Sequence, residues 1–239
     1  MPSRSSTNAN AAMAGLPMPG KGKFGPDLLP RALSAVILAP LVLFILWTGG
    51  WALYALVGLA LLIGLYEWVT ISRSVPWIAA LGLPYLSLSL VGLWQLQQME
   101  QARELVLCLF LMVWAVDIGA YFAGRMIGGP KLAPKLSPSK TWAGLLGGMA
   151  ASAVVGYLWA SVAGALYPEA ALLIGAVVGV VAQIGDLGES MLKRRFGVKD
   201  SGHIIPGHGG ILDRIDGLLL ALPVFALFQA TLGRSLGWW

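Results

Sequence analysis

Asp213 and Asp216 stand three residues apart at the entrance to an apolar segment, directly after the turn Gly207-His-Gly-Gly210. On a helix that spacing turns both carboxylates to one face. Two hard oxygen donors side by side suit a hard divalent cation, and Mg²⁺ is commonly held by one or two carboxylates together with substrate phosphates. Zinc prefers a Cys/His set, and the chain offers only one cysteine and two histidines, His203 and His208. The plainer alternative is that the two acids pair with Arg214 and a loop lysine. A third acid, Asp186, lies in Gln183-Ile-Gly-Asp-Leu-Gly-Glu-Ser-Met-Leu-Lys193. If that stretch is helical, Asp186, Glu189, Ser190 and Lys193 share a face, and Glu189 precedes Lys193 in the favourable order for an ion pair. Asp186, deeper and without an obvious local cation, is the better metal ligand.

Cations for phosphate lie close by in sequence. Lys193, Arg194, Arg195 and Lys199 follow Asp186, and Lys131-Leu-Ala-Pro-Lys-Leu-Ser-Pro-Ser-Lys-Thr141 adds three lysines, two serines and a threonine. Lysine supplies point charge, while hydroxyls and the N–H groups at a helix start supply directed donors for phosphate oxygens. Basic loops between spans also arise from membrane topology alone. No G-x-x-x-x-G-K-[ST] occurs, so a P-loop is not indicated. The chemistry points to metal-assisted phosphoryl or nucleotidyl transfer, with a membrane lipid as the second substrate.

The elements that must position these residues are membrane helices. The chain is 57% hydrophobic and 11% charged, whereas soluble domains carry about 25% charged residues. Apolar runs near the ~20 residues of a membrane helix recur, and no dyad alternation of a β-barrel is present. Seven spans are expected, at about 32–48, 51–70, 77–96, 105–124, 142–165, 170–188 and 212–232. The fold class is an all-α polytopic membrane bundle of about seven transmembrane helices. Gly49-Gly50 alone joins the first two. With the N-terminus inside, fourteen of the sixteen basic residues fall on the inner side, leaving Arg103 and Arg234 outside. That split puts the N-terminus and the loops 125–141 and 189–211 in the cytoplasm, and it argues against a nucleic-acid-binding face.

Residues 1–30 read as a flexible cytoplasmic tail without the apolar core of a signal peptide, 31–104 as N-terminal spans, and 105–239 as the catalytic membrane domain. Trp238-Trp239 reads as an interfacial anchor, and Cys108 as a small buried hydrophobe. Two more acids fall inside spans, where charge is costly and usually paired or functional. Glu67 reads as snorkelling or pairing with Arg73. Asp117 shares a helical face with Tyr121, Gly124 and Arg125; it either pairs with Arg125 or serves the site.

The run Ser190-x-Leu-Lys-Arg-x₄-Lys-Asp-x-Gly-x₂-Ile-Pro-Gly-His-Gly-Gly-Ile-x-Asp-Arg-Ile-Asp216 resembles the signature of the phosphatidate cytidylyltransferases, the CDP-diacylglycerol synthases. Asp117-Ile-Gly-Ala-Tyr-Phe-Ala-Gly-Arg125, the loop up to Thr141-Trp142, and Gly185-Asp-Leu-Gly-Glu-Ser190 are similar to the family too, in the same order. The resemblance covers about residues 105–220. Ala143 and Ser139 depart from the family's usual residues, and the chain is short for the family.

What this resemblance implies is transfer of CMP from CTP to phosphatidic acid, giving CDP-diacylglycerol and pyrophosphate, in the bacterial inner membrane with the active site facing the cytoplasm. Asp186, Asp213 and Asp216 are expected to organise Mg²⁺, with room for a second cation, and Lys193 to act with them in catalysis. Lys193, Arg194 and Lys199 would hold triphosphate or lipid phosphate, while Ser137, Lys140 and Thr141 would close over the nucleotide. Ser190, Asp200, Arg214 and Asp117 complete the expected substrate-binding set. His208 is expected to brace the turn or bind phosphate rather than act as a base. CTP and phosphatidic acid are the expected partners, nucleic acid is not, and a homodimer stays open. The rivals are a CTP-dependent lipid kinase, which would transfer the γ-phosphoryl group, and an anion transporter. The acids concentrate in the second half without repeat symmetry, which counts against the transporter.

Overall fold

Inside a bilayer no water bonds the backbone, so the N–H and C=O groups of an apolar segment must pair within it, and each expected span folds as a helix. The computed structural model describes residues 28–204 and 209–233, with side chains from Val36 onward. Among them seven helices follow in order: α1 (Leu28–Thr48), α2 (Gly50–Ser72), α3 (Pro76–Gln97), α4 (Ala102–Met126), α5 (Trp142–Val162), α6 (Ala170–Arg195) and α7 (Leu212–Phe228). The last runs on into a π-helical turn, Gln229–Gly233. Helices α2 to α7, the last counted with its π turn, each hold a stretch long and apolar enough to cross a membrane; the corresponding apolar part of α1 is Val36–Thr48. The chain is an integral membrane protein built as a helical bundle.

Between α4 and α5 lies an antiparallel hairpin, β1 (Lys131–Ala133) and β2 (Ser137–Thr141), with Lys131 opposite Thr141 and Ala133 opposite Ser137. The polar segment expected over 125–141 is therefore a built element. Likewise the loop expected over 189–211 begins as helix, because α6 continues to Arg195. Of the tail expected over 1–30, residues 28–30 already belong to α1; the rest, like His208 and Trp238-Trp239, lies outside the described residues.

Small residues set the packing. Along α5 the buried positions are Gly144, Gly148, Ser152, Gly156 and Ala160, one in every four. Such a stripe lets backbones approach where lipid offers no hydrophobic drive for helix association. Helix α4 uses it: a methyl group built on Gly119 would stand 2.6 Å from the Gly147 carbonyl oxygen. On the far side, one built on Gly175 of α6 would meet the Ser152 carbonyl oxygen at 2.6 Å.

Helix α7 is seated by its proline. Pro223 has no N–H for the carbonyl four residues back, that of Leu219. Ser89 of α3 donates its hydroxyl to that carbonyl at 2.8 Å, fully buried. One turn further along α3, Gly92 admits the proline ring; a methyl group there would stand 2.9 Å from Pro223 Cα. Helix α2 is in turn held to α3 by Trp68, whose indole N–H donates to the Ile78 carbonyl at 2.9 Å.

The C-terminus of α6 closes on Gly197 (φ 69°). Val198 N–H bonds the Lys193 carbonyl at 3.0 Å and Gly197 N–H that of Arg194 at 3.3 Å, the paired bonds of a Schellman cap. Arg194 then donates from Nε to the Leu136 carbonyl and from Nη1 to that of Val198, both at 3.2 Å. The hairpin and the signature segment thus meet at one end of the bundle, as the alternation of spans requires.

Candidate active site

Three helix ends and the hairpin bring the polar residues together. At the start of α7, Asp213 is enclosed by donors: Lys193 Nζ reaches Oδ1 at 2.6 Å, while the N–H groups of Ser201 and Gly210 reach Oδ2 at 2.9 and 3.0 Å. The loop accommodates this only through glycine. Gly209 has φ 84°, and a methyl group on it would stand 2.9 Å from Asp213 Oδ2. Lys193 also bonds Glu189 Oε2 at 3.1 Å, as the i,i+4 spacing predicts. One ammonium therefore sits between two largely buried carboxylates, an arrangement that a membrane interior tolerates because each charge has its opposite within contact. The other oxygen of Glu189 is buried without a hydrogen-bond donor, and the side chain lies within electrostatic reach of Asp216. Asp216 itself accepts the Gly217 N–H at 2.7 Å.

Asp186 does have a cation, contrary to expectation, and it comes from the hairpin. Lys140 Nζ lies 2.5 Å from Asp186 Oδ2, and Ser190 donates to Oδ1 at 3.4 Å. Sequence spacing could not reveal a partner 46 positions away across a hairpin. Next to Lys140, Thr141 is the N-cap of α5, accepting the Gly144 N–H at 3.0 Å from a buried position against Gly124. The N-terminus of α5 faces a polar cavity of about 320 Å³ walled by Asp117, Arg125, Ser139, Lys140, Gln183 and Asp186. Its positive dipole end, Arg125 and Lys140 together favour an anion.

Asp117 also borders a second, larger cavity of about 370 Å³, apolar and reaching between α1, α2, α4 and α7 past Val42, Val57 and Phe110. Arg214 and Asp216 stand at its polar end. Arg214 and Lys140 act electrostatically on Asp117, as does Asp186. Of the two alternatives for Asp117, pairing with Arg125 does not form: Arg125 Nη1 reaches the Tyr121 hydroxyl at 3.4 Å.

The remaining expected residues are scattered in role. Ser137 is half-buried on β2, with its hydroxyl 3.4 Å from that of Ser139. Arg194 is engaged by backbone carbonyls, as described. Lys199 and Asp200 are exposed on the segment after α6. Sequence spacing did not single out Gln183, which lines the polar cavity, or Tyr85 of α3, which lies within electrostatic reach of Asp216 and Glu189. It also misjudged Glu67. Instead of snorkelling or pairing with Arg73, Glu67 is 2% exposed and accepts three bonds from the signature loop.

The donor set can be tested for Mg²⁺. Among the described residues no three His, Cys, Asp or Glu side chains are grouped so as to hold an ion unaided. Asp186 and Asp216 lie within electrostatic reach of each other and of Asp117, and these three offer hard oxygen donors. That suits an ion held by two carboxylates and completed by substrate phosphates. Asp213, the third expected ligand, holds Lys193 and the two loop amides.

Fold and site together define a polytopic helical membrane protein with a polar cavity, lined by two cations and two carboxylates, that meets an apolar one at Asp117. Residues 76–232 match the Cytidylyltransferase family, and the chain belongs to that family. It is 37% identical over 208 residues to the phosphatidate cytidylyltransferase of Rickettsia felis, covering 81% of this chain and 88% of that protein. It is 51% identical over 125 residues to that of Brucella suis and 45% over 137 residues to that of Pseudomonas aeruginosa. Those alignments span about half the length of either relative, 46% and 51%.

Proposed function

We propose that the protein is a CTP:phosphatidate cytidylyltransferase of a bacterial inner membrane, with its site on the cytoplasmic side. The carrying observation is that Asp117 borders both cavities, one walled by charged residues and one apolar. The printed names of the relatives and the inner-side excess of basic residues support the same reading.

In this reading the triphosphate of CTP lies in the polar cavity, against Arg125, Lys140 and the N-terminus of α5. Phosphatidate enters from the bilayer with its acyl chains along the apolar cavity and its phosphate beside Arg214. A phosphate monoester carries about −1.5 to −2 charges at pH 7, so its oxygen needs no general base. That oxygen attacks the α-phosphorus in line, the bond to the bridging β-phosphate oxygen breaks, and pyrophosphate leaves. Asp186 and Asp216 would hold Mg²⁺, which supplies neutralisation of charge on the transferring and leaving phosphates. Lys193 holds Asp213 and Glu189 in register beside it. Helix ends and salt-bridged side chains orient the phosphates before reaction, and such preorganised charge is the main catalytic resource at phosphorus.

Purified protein in detergent, given phosphatidate, Mg²⁺ and CTP labelled separately at the α and γ phosphates, tests this. The α label is expected in the lipid and the γ label in pyrophosphate. Transfer of γ label to an isoprenoid alcohol would instead identify a lipid kinase.

A further inference from the structure

Glu67 belongs to α2, before residue 76 where the family match begins, yet it is tied into the signature loop. Its Oε1 accepts the Ile211 N–H at 3.1 Å; its Oε2 accepts the Leu212 N–H at 2.8 Å and the Ser201 hydroxyl at 3.1 Å. The first N–H groups of a helix have no partner within it, and a carboxylate there answers both the orphan donors and the positive end of the dipole. Helix α7 starts on Ile211, which offers no side-chain cap of its own. Glu67 is that cap, supplied from 145 residues away.

The loop is shaped around it. A methyl group on Gly210 would stand 2.7 Å from each oxygen of the Glu67 carboxylate, and one on Gly202 would overlap the same group. Among the described residues no lysine, arginine or histidine forms an ion pair with Glu67. Among the described residues its charge is met by the loop and the helix end. From Glu67 a continuous chain of bonds leads to the site. Ser201 donates its hydroxyl to Glu67, accepts the Asp213 N–H at 3.3 Å, and gives its own N–H to Asp213 Oδ2. Asp213 in turn holds Lys193.

We propose that Glu67 is a positioning residue: its carboxylate sets the start of α7 together with Ser201, Gly202 and Gly210, and so holds Asp213 and Lys193 in place beside Asp216. The claim that this matters for turnover rests on the cytidylyltransferase reading. It follows that α2 is part of the catalytic unit although it lies outside the family's matched stretch.

The test uses the full chain in detergent with Glu67→Gln, Glu67→Asp and Asp213→Asn, and Glu67→Gln combined with Asp213→Asn. CTP turnover, thermal unfolding and backbone hydrogen exchange are measured on each. Glu67→Gln keeps the shape but only one good acceptor, so it is expected to lower kcat on the order of 100-fold with KM for CTP little changed. Glu67→Asp, which keeps both acceptor oxygens, is expected to recover part of that loss. The double variant should be no slower than Asp213→Asn, since both act through one chain of bonds. Exchange should rise at 201–216 and not in α5. Wild-type kcat in Glu67→Gln, losses that multiply in the double variant, or exchange rising throughout the protein would each overturn the proposal. If the wild type turns over no CTP, the functional reading falls, and exchange confined to 201–216 or spread evenly still decides for or against Glu67.

Discussion

Lys140 Nζ lies 2.5 Å from Asp186, so the hairpin between α4 and α5 inserts a cation into the acidic wall of the site. The same ammonium borders the polar cavity and acts on Asp117. In a bundle with few charges to spare, that position fits the role expected of the hairpin, closing over an anion, and adds a second, neutralising a carboxylate before the anion arrives.

Replacing Lys140 with Gln should therefore raise the KM for CTP about tenfold or more, since a charge-assisted bond to phosphate contributes about 1.5–3 kcal/mol. The Mg²⁺ concentration giving half-maximal activity should fall, because Asp186 no longer has a competing ammonium. Steady-state titrations of CTP and of Mg²⁺ read both.

Asp186→Asn and Asp216→Asn should each reduce α-label transfer by at least about 100-fold, with unfolding temperatures near wild type. Chelation by EDTA should abolish transfer in the wild type, and added Mg²⁺ should restore it. Retention of activity in chelator would refute metal assistance at this wall.

Lys193→Met strands Glu189 and Asp213, whose side chains are 4% and 9% exposed. Removing one member of a buried pair typically costs about 3–5 kcal/mol. Thermal unfolding in detergent should show a clear loss, and adding Glu189→Gln to Lys193→Met should recover part of it. Equal stability of single and double variants would mean that Lys193 is not the counter-charge of Glu189.

Ser89→Ala removes the donor to the Leu219 carbonyl and should destabilise the bundle by about 1–3 kcal/mol, the cost of an unsatisfied buried group, with the KM for CTP unchanged. In a Pro223→Ala background, where residue 223 regains an N–H for that carbonyl, the same change should cost much less. Unfolding midpoints of the four proteins complete the cycle.

The membrane bundle was legible in the sequence because apolar length and the placement of lysine and arginine are local properties, set by bilayer thickness and translocation. Seven spans were expected and seven helices form, and the Glu189–Lys193 pair follows from helical spacing alone. The resemblance carried by 190–216 led to the family that the comparison over residues 76–232 shows.

Everything that depended on contacts between distant segments was hidden. Asp186 had no apparent partner nearby and Asp213 only the neighbouring Arg214, yet one receives Lys140 and the other Lys193 and two loop amides. Glu67 offered only an acid near a span end; its three donors lie more than 130 positions further along the chain. Ser89 and Pro223 looked unrelated until packing set a hydroxyl against the one carbonyl that the proline leaves open. The sequence by itself determined which segments cross the membrane and which polar residues gather at one end, since both follow from hydrophobicity and period. Which carboxylates face phosphate and which are spent on holding the loop was decided only in the tertiary structure, because a buried charge takes its role from whichever donor the packed helices bring within about 3 Å.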